Sequence, residues 1–213
     1  MFSHFVRNAC LAVLLLSQSF VADAALKLDA PLPVGPQVKV GKLANGLTYY
    51  IQKNTRPERK LELRLVVKAG SILEDDDQQG LAHFVEHMAF NGSTHFQKHE
   101  LVDYLQSIGV KFGADLNAYT SFDETVYVLP IPLDRPENLG KAFQVLEDWA
   151  HGLAFDEAVI DKERGIVLEE LRLGKGAGDR IGKQIYPKIY NGSRYAERLP
   201  IGKEDVLRNF KPD

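Results

Sequence analysis

Apolar and polar residues alternate with two different periods along the chain, and the change of period predicts the order of elements. A Pro-rich lead (Pro31, Pro33, Pro36) runs into a short strand over Val38 to Val40. Asn45-Gly46 between this strand and Leu47 to Ile51 is a hairpin signal, because both residues tolerate positive φ. Leu61 to Val67 alternates over most of its length, the mark of a strand, and Gly70 ends it. The period then lengthens. Between Gly80 and Gly92, Leu81, Phe84, Val85 and Met88 repeat at helical spacing, with Asn91-Gly92 as the stop.

Further helices are expected from Lys98 to Ser107 (closed by Gly109), from Pro136 to Trp149 and from Asp156 to Leu173. Two strands, Lys111 to Ala118 and Glu124 to Leu129, lie between the first two of these, with Pro130 and Pro132 breaking the second. Gly174 to Gly178 reads as a loop, Asp179 as the cap of a helix to Ile189, and Glu204 to Phe210 as a last helix. Strands come first, then helices with two strands between them. That order predicts an α+β fold, a mixed and mainly antiparallel sheet packed against helices, rather than regular βαβ alternation.

The first residues change the picture of where the chain works. Arg7 precedes an apolar run from Ala9 to Leu16, and Val21-Ala22-Asp23-Ala24-Ala25 offers a small-x-small cleavage site. Residues 1–24 are expected to be a secretory signal peptide cut after Ala24, its apolar run too short to span a bilayer as a stable helix. The mature chain, residues 25–213, would reach the periplasm with no stable membrane anchor. The single cysteine, Cys10, lies in the signal, so any metal must be held by His and carboxylates. A net charge of −3 over 213 residues, with no basic run, argues against a nucleic-acid partner.

The candidate chemistry sits on the helix after Gly80. Each residue turns a helix by about 100°, so His83, Glu86 and His87 share the face opposite the apolar one. Two imidazoles at i and i+4 with a carboxylate between them make half a zinc site plus a general base. The plainer reading is a polar face that holds two histidines. A stable site needs another ligand, and Glu163 and Glu170 supply candidates: about 20° apart on a helical wheel, they lie on the broad face shared by Ile160, Ile166, Val167 and Leu171. Buried there, a carboxylate needs a cation or hydrogen bonds. Zinc held with His83 and His87 would serve, and so would water or an arginine such as Arg164 or Arg172. Glu169, with Lys162 and Arg172, falls on the solvated side. The run Glu74-Asp75-Asp76-Asp77 lacks the ligand spacing of a calcium loop and reads as a solvated turn feeding the positive end of the next helix. His95 and His99 are i, i+4 but straddle a helix start, which suits surface or capping roles. His151 has no ligand-type neighbour at useful spacing.

These residues resemble the inverzincins, the pitrilysin/insulinase metalloproteases. The likeness runs through Gly80-Leu81-Ala82-His83-Phe84-Val85-Glu86-His87, Asn91 to Phe96, Leu116 to Thr120 with Thr125-Val126-Tyr127, and Glu163-Arg164 through Glu170-Leu171. The resemblance implies that His83, His87 and Glu170 bind zinc, and that Glu86 acts as general base on a zinc-activated water. It also implies that Glu163 orients a ligand from outside. The interval from His87 to Glu170 is longer than usual in that family, and spacing alone favours Glu163 as the ligand; the surrounding residues favour Glu170. A peptide would add as a strand beside Asn117 and Ala118. Phe90, within about 20° of His83 on the wheel, would line a pocket beside the metal or close the core. A second homologous domain or subunit is implied as partner, and the domain is expected to stop short of its last helix and strands. Two functions follow: a zinc endopeptidase acting on peptides or unfolded segments, or a non-catalytic peptide-binding or assembly subunit on the same fold.

Overall fold

A computed structural model describes residues 32–97, 99–111, 113 and 117–212. The signal-peptide expectation, with its cleavage point and Cys10, lies outside the described residues. The chain divides into two units, residues 1–55 and 56–213.

In the first unit, β1 (Val38–Lys42) and β2 (Thr48–Gln52) pair antiparallel, Val38 opposite Gln52 and Lys42 opposite Thr48. Gly46 turns the chain at a φ of 94°, and the Asn45 side-chain oxygen accepts from Leu47 N at 3.1 Å. These are the two residues that the hairpin expectation rests on.

The second unit holds a three-stranded antiparallel sheet in the order β3 (Lys60–Val67), β5 (Thr125–Pro132), β4 (Asn117–Thr120). β3 alternates between partly buried and exposed residues, as its sequence period requires. β5 runs on through Pro130 and Pro132, set opposite Glu62 and Lys60, where a break was expected. A proline lacks the N–H that a ladder bond needs, yet β5 keeps its register with β3 through both positions; its pairing with β4 is described as far as Val128. Of the strand expected over Lys111 to Ala118, residues 112 and 114–116 lie outside the described residues; the described strand runs from Asn117 to Thr120. Its register is set by a tight reversal in which Ser121 N donates to Glu124 O at 2.8 Å.

Six helices follow among the described residues: α1 (Leu81–Met88), α2 (Glu100–Ser107), α3 (Glu137–His151), α4 (Glu157–Gly174), α5 (Ala177–Ile189) and α6 (Glu204–Asn209). α3 lays Ala142, Val145 and Trp149 against Tyr127, Leu129 and Ile131 of β5 and Leu101 and Leu105 of α2. Trp149 stacks on Tyr127 at 5.1 Å, and its ring nitrogen donates to Ala89 O at 3.0 Å, satisfying the polar end of a buried indole. A second core joins Phe84 and Met88 of α1 to Ile160 and Val167 of α4 and Leu207 of α6. This core places α1 against α4. Val85, expected on the apolar face, is 38% exposed, because Phe84 and Met88 alone meet this core and one further step of rotation carries Val85 past it.

Two helix ends differ from expectation. α4 includes Gly174, and α5 starts at Ala177 ahead of Asp179. The Asp179 carboxylate pairs with Lys183 at 2.8 Å, one turn on, rather than capping the helix. At the start of α4, Asp156 does cap, accepting from Val159 N at 3.1 Å.

Candidate metal centre

The site begins with how α1 is started. Gly80 has a φ of 104°, and a Cβ there would meet Leu207 Cδ2 at 3.0 Å and Gly202 Cα at 3.1 Å, so both backbone and space call for glycine. The cap comes from further back. Glu74 is buried, and its carboxylate accepts from Gly80 N at 3.0 Å and Ala82 N at 2.8 Å. Burial pushes that carboxyl above the ordinary range against the pull of these amides and of Arg198. The acidic run is therefore not wholly a solvated turn: Asp75, Asp76 and Asp77 are exposed, while Glu74 turns inward to neutralise the helix end. Arg198 pairs with Asp76 at 2.6 Å and donates to Glu74 O at 3.0 Å.

One turn into α1, His83 and His87 face each other with ring centroids 4.7 Å apart and their Nε2 atoms at 3.2 Å. Glu170 of α4 brings Oε2 to 3.7 Å from His83 Nε2 and 3.4 Å from His87 Nε2. Among the described residues, His83, His87 and Glu170 form a group of three whose ligand atoms all lie within 4.8 Å of one another. Glu163, one further pair of turns back on α4, meets the other side of the same ring: its Oε1 lies 2.7 Å from His87 Nδ1, and its Oε2 accepts from Asn91 Nδ2 at 2.9 Å. A proton on Nδ1, given to Glu163, leaves the Nε2 lone pair facing His83 and Glu170.

Burial and the neighbouring His87 charge hold His83 below the usual imidazole range. His87 is lifted above it, because its hydrogen bond and attraction to Glu163, with help from Glu170 and Glu86, outweigh burial. His83 Nδ1 is buried without a hydrogen-bond partner among the described residues. Two nitrogens and a carboxylate converging on one point suit a divalent cation of borderline softness such as zinc. The arginines that might have neutralised the α4 carboxylates are engaged elsewhere. Arg172 pairs with Glu169 at 2.7 Å on the exposed side, and Arg164 donates to Leu207 O at 2.5 Å and Phe210 O at 3.1 Å.

Glu86 lies between the histidines in sequence and is 8% exposed. Burial pushes its carboxyl up, opposed first by the Thr120 hydroxyl, which donates to Oε2 at 2.7 Å. Two cavities open beside it. One of about 420 Å³ is lined by Glu86, His87, Phe90, Asn117, Ala118 and Ile166, among others. The other, of about 360 Å³, includes His83, Glu86, Thr120, Glu170 and Pro200. Phe90 both faces the first cavity and packs edge-on against Trp149 at 5.7 Å. β4 is the outer strand of its sheet among the described residues, with Asn117 and Tyr119 exposed.

The remaining histidines lie outside the group. His95 Nδ1 meets Asp148 Oδ1 at 2.7 Å, His151 faces Glu147 at 3.8 Å, and His99 occupies the first position before α2 without a capping bond. Two contacts escape the sequence reading: Asn91 on Glu163 and Thr120 on Glu86. Asn91 alone carried a local signal, standing four residues after His87 on the same helical face.

A sequence model described as "Insulinase (Peptidase family M16)" matches residues 49–196, well over half of the chain. The chain belongs to that family. Its members include a probable zinc protease PqqL of Haemophilus influenzae, 42% identical over 93% of this chain and 22% of the relative. A zinc protease PQQL-like protein of Arabidopsis thaliana is 40% identical over 90% of this chain and 21% of the relative. The crystal structure of the first half of the periplasmic protease PqqL from Escherichia coli superposes with a TM-score of 0.81 at 36% identity, covering 86% of this chain and 39% of that one. The chain thus spans about a fifth of the length of the two curated relatives. His83, Glu86, His87, Phe90, Asn117, Ala118, Glu163 and Glu170 all fall inside the insulinase-family match.

Proposed function

We propose that this chain is the zinc-binding, catalytic part of a periplasmic endopeptidase that hydrolyses peptide bonds in peptides or unfolded segments. The observation that carries the reading is the convergence of His83 Nε2, His87 Nε2 and Glu170 Oε2 on one point beside the Glu86 carboxylate. His83, His87 and Glu170 hold the metal. Glu170 is preferred to Glu163 because it faces both Nε2 atoms, whereas both oxygens of Glu163 are engaged, by His87 Nδ1 and by Asn91. Bound there, zinc supplies Lewis acidity that acidifies a water and polarises the scissile carbonyl.

The chain's own residues do the rest. Glu86, its carboxyl raised by burial above the ordinary range, takes the proton from the attacking water and passes it to the leaving amine. Glu163, braced by Asn91, keeps His87 in the tautomer that presents Nε2. The outer edge of β4 at Asn117 and Ala118 pairs with the main chain of an extended peptide. Phe90 and Ile166 offer an apolar wall for one of its side chains.

The relatives named zinc proteases, one of them described as periplasmic, support this reading. No helix of the described residues is long and apolar enough to cross a membrane. The solved relative is one half of a longer protease, which supports a second homologous domain as partner. The test is Glu86→Gln: peptide turnover is expected to fall roughly 10²–10⁴-fold while about one zinc per chain is retained. Undiminished hydrolysis would remove Glu86 from the mechanism.

A further inference from the structure

We propose that Thr120 is a positioning residue for the general base: its hydroxyl holds the Glu86 carboxylate against the end of β4, coupling the base to the strand on which the peptide would lie. This inference rests on the functional reading above. Glu86 comes from α1 and Thr120 from the last position of β4, so the 2.7 Å bond between them ties two elements together at the reacting centre.

The direction of this bond is determined by counting protons. An ionised carboxylate can only accept, so the Thr120 hydroxyl must donate. The nearby Thr125 hydroxyl has a better acceptor in Ala69 O at 2.9 Å than in Thr120 Oγ1 at 3.4 Å. The Thr125 proton therefore goes to Ala69, and the short partner of the Thr120 hydroxyl is Glu86. Thr120 is itself held in place, being paired with Thr125 where β4 and β5 close their turn. Among the described residues Thr120 is the hydrogen-bond partner of the Glu86 side chain, through Oε2. The Thr120 backbone amide bears on the same carboxylate. A carboxylate held from the end of a strand loses rotational freedom, which is what a base needs before its substrate arrives.

Thr120→Val keeps the shape and removes the donor; Thr120→Ser keeps the donor and removes a methyl. In the zinc-loaded chain, Thr120→Val is expected to lower kcat roughly 10–100-fold with KM and zinc content unchanged, and Thr120→Ser to restore most of the loss. Wild-type kcat in Thr120→Val, alongside an inactive Glu86→Gln, would overturn the role of Thr120 and leave the functional reading standing. Loss of zinc together with kcat, not rescued by Thr120→Ser, would reduce Thr120 to a structural tie and overturn it as well. Turnover that survives Glu86→Gln would instead defeat the functional reading and remove the base that Thr120 is proposed to aim. A second readout needs no turnover: a double-mutant cycle of Thr120→Val with Glu86→Ala, which removes the acceptor, in thermal unfolding. Shifts that add independently would overturn the contact, and a clear departure from additivity supports it.

Discussion

Two histidine–carboxylate pairs of equal length stand on opposite ends of the loop that leaves α1. His87 Nδ1 meets Glu163 at 2.7 Å, and His95 Nδ1 meets Asp148 at 2.7 Å, each carboxylate being almost fully buried. Their difference lies in what the other atoms do. His87 turns its second nitrogen toward His83 and Glu170, so its carboxylate partner aims a donor into a shared point. His95 is partly exposed, and its carboxylate partner is the busier end: Asp148 Oδ2 also accepts from Ser93 Oγ at 2.6 Å and His95 N at 2.9 Å. The same bond orients a ring in one place and fastens a loop onto α3 in the other. A carboxylate–histidine pair is therefore a sign of metal chemistry only when the far nitrogen has company.

This contrast is open to direct attack, and the largest effect should come from the rings. His87→Ala is expected to weaken zinc binding by on the order of 10³-fold or more, read by titration against a chelating dye, whereas His95→Ala should leave it unchanged. Zinc lost equally from both would erase the distinction. The carboxylates give the next effect. Glu163→Gln should lower zinc affinity roughly 10–100-fold with little change in thermal stability in the absence of metal. Asp148→Ala should do the reverse, costing about 2–4 kcal/mol of unfolding free energy by leaving the Ser93 and His95 donors unpaired, with zinc affinity intact.

The smallest effect is in pH. Burial alone would raise the Asp148 carboxyl, but the Ser93 hydroxyl and the His95 ring and amide outweigh it and hold the group below its ordinary 3.8. A carboxyl held low in the folded state contributes stability that is present above the unfolded value and lost as the pH falls through the folded one. Acid unfolding of the wild type should therefore steepen below about pH 4, and Asp148→Asn should flatten that part of the profile. An unchanged profile in Asp148→Asn would mean that this group does not carry the loop's acid sensitivity.

Much of the fold was legible because its signals are local. The hairpin turn at Asn45-Gly46, the alternation of β3 and the helical repeats of α2 to α4 each depend on a few neighbouring residues, and the elements formed there. Legibility failed where a partner far along the chain decides. Pro130 and Pro132 read as breakers, yet β5 runs through both, held in register by β3, a strand far back along the chain. The acidic run read as feeding the positive end of α1, and Glu74 does so, but as a buried side chain rather than from a wholly solvated turn. Val85 read as core, yet the core offered by α4 and α6 is only wide enough for Phe84 and Met88.

Spacing by itself determined that His83, Glu86 and His87 share one face of a helix, since that follows from the pitch of the backbone whatever surrounds it. It also determined that Glu163 and Glu170 lie on one side of α4, two turns apart. Only the tertiary structure decided which of the two meets which nitrogen. The docking of α1 on α4 through Phe84, Met88, Ile160 and Val167 sets the relative height of the helices. That height puts Glu163 against Nδ1 of His87 and Glu170 against the paired Nε2 atoms. Likewise the strand register that ends β4 at Thr120 places a hydroxyl on Glu86. A helical repeat fixes angles around one axis. Distances between axes come from packing, which no local pattern encodes.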